Sequence, residues 1–151
     1  MAKAIKIVLG KRPQHFTKEV QCTMLDGALG CMEVNYVYRS RTELAELTDE
    51  LQAKLKNEAN AEIERFNAAV TKAKETGEAI PEFSLTQTEI VKRQSAINVD
   101  YIMKIVKGWN LDADFDKDGV AELVDTLPAM AEAIKSDYRA AINEGRLGNS
   151  V

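Results

Sequence analysis

Residues 17–43 read TKEVQCTMLDGALGCMEVNYVYRSRTE, and two different periods meet inside them. Val20, Cys22 and Met24 alternate with Glu19, Gln21 and Thr23, while Met32, Val34, Tyr36 and Tyr38 share one side of the run that follows. Successive side chains of a strand point to opposite faces, so a period of two marks strands with one buried and one wet face. Asp26-Gly27 between the runs is a hairpin signal. At Ser40 the pattern changes. Ser40 and Glu43 fit a capping box, in which the serine side chain satisfies a free helix amide and the glutamate reaches back to the serine N–H. The stretch thus divides the chain into a sheet part, residues 1–39, and a helical part, residues 40–151. Together they predict an α+β fold in a single domain spanning 1–151.

Toward the N-terminus, residues 4–9 (AIKIVL) are β-prone, with Ile5, Ile7 and Leu9 on one side and Gly10 and Pro13 ending the run. They are expected to complete a small antiparallel sheet of about three strands within the first forty residues. Register within the hairpin decides whether the only two cysteines can pair. A two-residue loop would oppose Cys22 and Cys31 but set Val20 beside Glu33, mixing apolar and charged residues on one face. A loop of Asp26-Gly27-Ala28 sets Val20 against Val34 and Cys22 against Met32, leaving Cys31 on the wet face. A consistent buried face is the stronger constraint, so this second register and two free thiols are expected. Free thiols accord with a reducing compartment.

Toward the C-terminus, Leu44, Leu47, Leu51, Leu55, Ala59, Ile63, Phe66 and Val70 recur at steps of three and four. The mean step is close to the ~3.6 residues per turn of a straight helix, not the heptad value of a supercoil. The stripe belongs to a helix of about nine turns ended by Gly77 and Pro81, ahead of a linker near 77–84. A helix this long overhangs a small sheet, so part of the stripe is expected to serve a partner or a second copy of the chain. Thr86 and Glu89 give a second capping box. Ile90, Ile97, Tyr101 and Ile105 form the stripe of the next helix, with Gly108 as its cap and Trp109 as a core plug. The last segment reads as a short helix and a longer one, with Pro128 in the first turn of the longer and Gly145 closing it.

Composition bounds the function. The chain has 151 residues, 45% hydrophobic and 29% charged, enough for a real core. No apolar run reaches the length that spans a bilayer. The opening MAKAIKIVLGKRP lacks the long apolar core of a secretory signal, so a cytoplasmic location is expected. Residues 1–41 carry seven Lys/Arg against Glu19, Asp26 and Glu33, a net of +4, and the remainder carries −8, giving −4 overall. The positives are scattered and few aromatics interleave with them, so neither nucleic acid nor membrane is an expected partner.

One motif invites a different reading. In DADFDKDGVAELVD, residues 112–125, counting Asp114 as position one puts Asp116, Asp118, Gly119 and Asp125 at positions three, five, six and twelve of an EF-hand calcium loop. Against this, position twelve should be Glu, the incoming helix breaks near Gly108, and Pro128 interrupts the outgoing one. The competing account makes Asp116 and Asp118 stabilisers of a helix start, where free amides and the dipole favour carboxylates. Capping is the preferred reading and no metal site is expected; a calcium-binding helical regulatory protein with its loop at 114–125 is the alternative. Nor is catalysis expected. His15 is the only histidine and reads as a solvated residue of the polar turn KRPQHF, no phosphate-binding glycine loop or paired-cysteine motif is present, and Glu62 and Glu64 read as wet-face solubilising charges.

In its order of motifs the chain resembles the tail assembly chaperones of long-tailed bacteriophages and prophages. The resemblance rests on LGKRP at residues 9–13, Phe16, the alternating strand through Val20, Asp26-Gly27 and VYRSRTE at 37–43. Gly108-Trp109, the acidic turn, ELVDTLPAMAEAIKSDYRAA and GRLGN at 145–149 extend it over nearly the whole chain. It implies a non-enzymatic protein, without cofactor, that binds the tape measure protein, keeps it soluble and assists tail tube subunits to polymerise around it. It also implies production in the host cytoplasm, absence from the mature virion and, in some members, a longer form made by ribosomal frameshifting. The matched positions are turns, caps and core, so no functional residue is carried over. The exposed part of the Leu44–Val70 stripe, with Leu55 and Ile63 at its centre, is the expected client surface.

Overall fold

The computed structural model describes residues 3–148. Strand β1 (His15–Thr23) and strand β2 (Leu29–Val37) form the hairpin, and α1 (Arg41–Thr76) follows directly. Helix α2 (Gln87–Ile105) runs straight into β3 (Val106–Trp109), after which come α3 (Lys117–Thr126) and α4 (Pro128–Glu144). The sheet is antiparallel with order β1-β2-β3. The α+β expectation of three strands and a mostly helical remainder holds.

The third strand is not the expected one. Residues 4–9 lie outside the sheet, and Val106–Trp109 takes the place beside β2, with Val34 opposite Trp109 and Tyr36 opposite Val106. Asn110 extends the pairing, its N–H donating to the Glu33 carbonyl at 3.2 Å and its side-chain oxygen accepting from the Glu33 N–H at 2.8 Å. β2 has only two edges: β1 holds one through a tight turn, and α2 delivers β3 to the other. For the same reason Gly108 is no helix cap. Val106 leaves the helix in extended conformation (φ −106°, ψ 136°), where a β-branched side chain sits well.

The hairpin register also differs from expectation. Val20 faces Met32 and Cys22 faces Gly30. Leu25-Asp26-Gly27 forms the loop: Met24 N–H donates to the Ala28 carbonyl (2.7 Å), Gly27 N–H to the Met24 carbonyl (3.0 Å), and Gly27 takes φ +86°. A three-residue loop ending in a left-handed glycine sets this register. It is displaced by two residues from the expected one, and a slip of two keeps every side chain on its face. The burial pattern therefore could not separate the two; the turn geometry does. Val20, Met32, Val34 and Tyr36 are buried as expected, and both thiols are free, with Cys31 exposed.

The core lies between the inner face of the sheet and α4, closed by the C-terminal half of α2, by α3 and by the first two turns of α1. At its centre the rings of Phe16, Tyr36 and Tyr138 cluster with centroids 5.2–6.1 Å apart, Phe16 and Tyr138 stacked and Tyr36 tilted against both. Sheet and helix are tied crosswise. The Tyr36 hydroxyl donates to the Ile134 carbonyl of α4, and the Tyr138 hydroxyl donates to the Val37 carbonyl of β2, both at 2.8 Å. Burial pushes both phenols above their ordinary range. α4 starts with Pro128 at its N-terminal turn and ends on Gly145 at φ +68°, as read from the sequence.

Candidate functional site: the cleft between the two long helices

Ser40 caps α1 as expected: its hydroxyl accepts from the Glu43 N–H (3.2 Å) and the Glu43 carboxylate accepts from the Ser40 N–H (2.9 Å). Hydrogen bonding to the Ser40 backbone, and then to Arg12, holds the Glu43 carboxyl below the usual range. From this start the helix enters the core with Leu44 and Leu47 and then leaves it. Leu51 is half-buried, Leu55 is 36% exposed and Ile63 is 54% exposed. Thr86 caps α2 by accepting from the Glu89 N–H at 3.2 Å. α2 runs back antiparallel to α1, because Glu62 meets Arg93 while Lys54 meets Asp100. Phe83 of the connecting segment packs edge-on against Phe66, centroids 5.5 Å apart.

The two helices do not pack backbone to backbone; long side chains bridge them. Between them lies a cleft of about 480 Å³. Leu51, Leu55 and Ala59 of α1 line it together with Ala96 and Ile97 of α2. Ala59 and Ala96 leave the space open where larger residues would fill it. The rim is charged. Arg93 grips Glu62 through two hydrogen bonds of 2.6 Å each, and Lys54 donates to Asp100 at 2.9 Å. The Arg93 hydrogen bonds lower the Glu62 carboxyl, and the Asp100 hydrogen bond raises the Lys54 ammonium. Both pairs are solvent-accessible, so they orient the helices more than they stabilise them. A second, wider groove of about 760 Å³ between α2 and α3 adjoins the cleft, sharing Lys54, Ala96 and Asp100 and lined further by Val91, Val99 and Ala121.

Glu62 and His15 fall differently from expectation. Glu62 is no wet-face charge; it turns toward α2 and holds Arg93. Ile63 lies outside the cleft, although Leu55 lines it. Past Ala59 the side facing α2 passes through Glu62 in place of Ile63 and returns to the apolar stripe at Phe66. The polar Glu62 concealed this, and its only signal was the 3–4 spacing of residues 55, 59, 62 and 66. Glu64 is exposed, as read. His15 opens β1 as an exposed strand residue, not as part of a turn.

The acidic stretch is a helix start. Asp116 is the N-cap of α3, its carboxylate accepting from the Gly119 N–H at 2.8 Å. The helix begins at Lys117, so most of the residues that would fill a calcium loop, Asp118 and Asp125 among them, are already helical. Among the described residues no group of three or more metal-ligating side chains converges. A Cβ on Gly119 would stand 2.2 Å from the Asp114 carbonyl oxygen, which explains glycine there without any metal. Trp109 anchors the same turn from β3. Its indole N–H donates to the Ala113 carbonyl at 2.7 Å and its ring meets Phe115 edge-on at 5.1 Å. It packs at the margin of the core, half-buried, with a structural task.

The site is thus an apolar-floored cleft with a charged rim, carried by two long helices on a small α+β base. Among the described residues no helix is long and apolar enough to cross a membrane. No curated protein and no solved structure matches the chain. The family model described as phage tail assembly chaperone matches residues 1–149, nearly the whole chain. With that coverage, the chain belongs to the phage tail assembly chaperone family.

Proposed function

We propose that the cleft between α1 and α2 receives an amphipathic helical segment of the tape measure protein and keeps it soluble until tail tube subunits assemble around it. The protein acts by shielding, without catalysis, in the host cytoplasm. The observation that carries the reading is the cleft itself. It presents Leu51, Leu55 and Ile97 side by side, unfilled, with charges on both rims. An apolar floor between polar margins suits the apolar stripe of a helix laid into it, whose polar face then stays in water. The mixed rim, with Lys54 and Arg93 facing Glu62 and Asp100, offers both signs of charge to the flanks of such a helix.

Co-expression of the tape measure protein with this chain tests it. The double substitution Leu55→Glu/Ile97→Glu should move the tape measure protein from the soluble to the insoluble fraction. Both positions are already more than a third exposed, so the melting temperature of the chaperone should change little. Ile63→Glu, outside the cleft, should leave solubilisation intact. Retained solubility in the double variant, or equal loss in the Ile63 variant, would refute the assignment.

A further inference from the structure

The N-terminal segment ahead of β1 carries four large apolar side chains with nothing to cover them. Ile5 is 92% exposed, Ile7 84%, Val8 60% and Leu9 91%. The segment alternates as a strand does, yet it lies outside the sheet. Meanwhile β1 is an edge strand of nine residues, its outer side without a partner strand among the described residues. Unpaired edges and unpaired strands are both unfavourable in water.

The two fit each other. In an antiparallel register with Leu9 opposite Phe16, Ile7 falls opposite Lys18 and Ile5 opposite Val20, which extends the inner face of the sheet. Lys6 then lies directly opposite Glu19 on the wet face, a favourable cross-strand pair. A slip of one residue would turn Lys6 inward, and a slip of two would part it from Glu19. Lys18 is half-buried, and a lysine stem can lie along an apolar face while its ammonium stays in water.

The residues that join the segment to β1 are held on the β2 side. Arg12 lies 5.0 Å over the Tyr38 ring and pairs with the Glu43 carboxylate. Gln14 accepts from the Tyr38 N–H at 2.9 Å. These contacts lead the chain past the end of β2, whereas the free edge of β1 lies on the opposite side. Folding back as a hairpin would place Arg12 in the connecting loop and break its anchorage.

We infer that residues 4–9 pair with the outer edge of β1 in a second copy of the chain, which returns its own segment in exchange. Reciprocal exchange closes as a two-fold dimer and covers the outer edge of β1 in both copies. The inference does not rest on the cleft and survives if the cleft binds nothing.

Light scattering of the full-length protein, with a disulfide trap, tests it. In a Cys22→Ser/Cys31→Ser background, Lys6→Cys/Glu19→Cys is oxidised and run without reductant. A dimer in solution, cross-linked between chains in the trapped variant and converted to monomer by removal of residues 2–9, is the expected result. No residue of the segment belongs to the core, so circular dichroism of the truncated chain should be unchanged. A monomeric full-length protein, a cross-link within one chain, or a dimer that survives the truncation would each overturn it.

Discussion

Substituting Asp116 separates the two meanings of the acidic turn most sharply. Asp116→Ala removes the carboxylate that accepts from Gly119 N–H and leaves a helix amide with water alone. Loss of an N-cap costs ~1 kcal/mol, within a range of about 0.5–2. α3 places Val120, Leu123 and Val124 in the core, so fraying at its start is felt globally. For a chain of this size ~1 kcal/mol corresponds to roughly 2–4 °C in melting temperature. Asp116→Asn is the decisive control. Asparagine caps about as well as aspartate, so it should restore nearly all of the loss. Calcium supplies the other arm. A sensor-type site of about 10 μM affinity would stabilise the wild type by ~2.7 kcal/mol at a hundredfold excess of calcium. That is more than twice the cap effect and easily resolved by urea unfolding in calcium against chelator. The expected result is no calcium effect, a loss in Asp116→Ala and near-recovery in Asp116→Asn. Calcium stabilisation of the wild type, abolished equally by both substitutions, would refute the capping argument.

The crosswise tyrosines should respond unequally to loss of their hydroxyls. Ile134 keeps its helical hydrogen bond in Tyr36→Phe, so about 1 kcal/mol is expected; Tyr138→Phe removes the partner of the Val37 carbonyl and the acceptor for Arg39, and should cost more, about 1–3 kcal/mol. Urea unfolding checks the order, and a larger cost for Tyr36→Phe would contradict it. The carboxyls of Glu43, Glu62 and Glu132 are all lowered from 4.5 in the folded chain. A lowered carboxyl stabilises above its unfolded value and loses that contribution as pH falls through its folded value, so stability should decline below about pH 4.5. Glu43→Gln retains a capping side chain but no charge, and should flatten the acid limb of a plot of urea midpoint against pH; an unchanged limb would exclude Glu43 as a source.

The sequence by itself determined the elements whose signals are local. Alternation fixed the faces of β1 and β2, Ser40 with Glu43 fixed the start of α1, and Pro128 and Gly145 bounded α4. Such features depend on neighbours within a few residues, so their physics is complete in a short window. Asp116 belongs with them, since a cap and its amide lie three residues apart. The exact hairpin register lay at the limit of this reach, because a two-residue slip preserves every face and only the φ of Gly27 separates the alternatives.

Tertiary structure decided which strand won the second edge of β2. Residues 4–9 and Val106–Trp109 both suit an edge, but α2 brings only the latter to it, and no local pattern records that delivery. It also decided the cleft. Leu55 and Ile63 look alike along one apolar stripe, yet α2 approaches along the line of Ala59 and Glu62, so one isoleucine faces water while a glutamate faces a neighbouring helix. Which side of a long helix meets a partner depends on the angle at which two distant segments approach, and the whole packed core sets that angle.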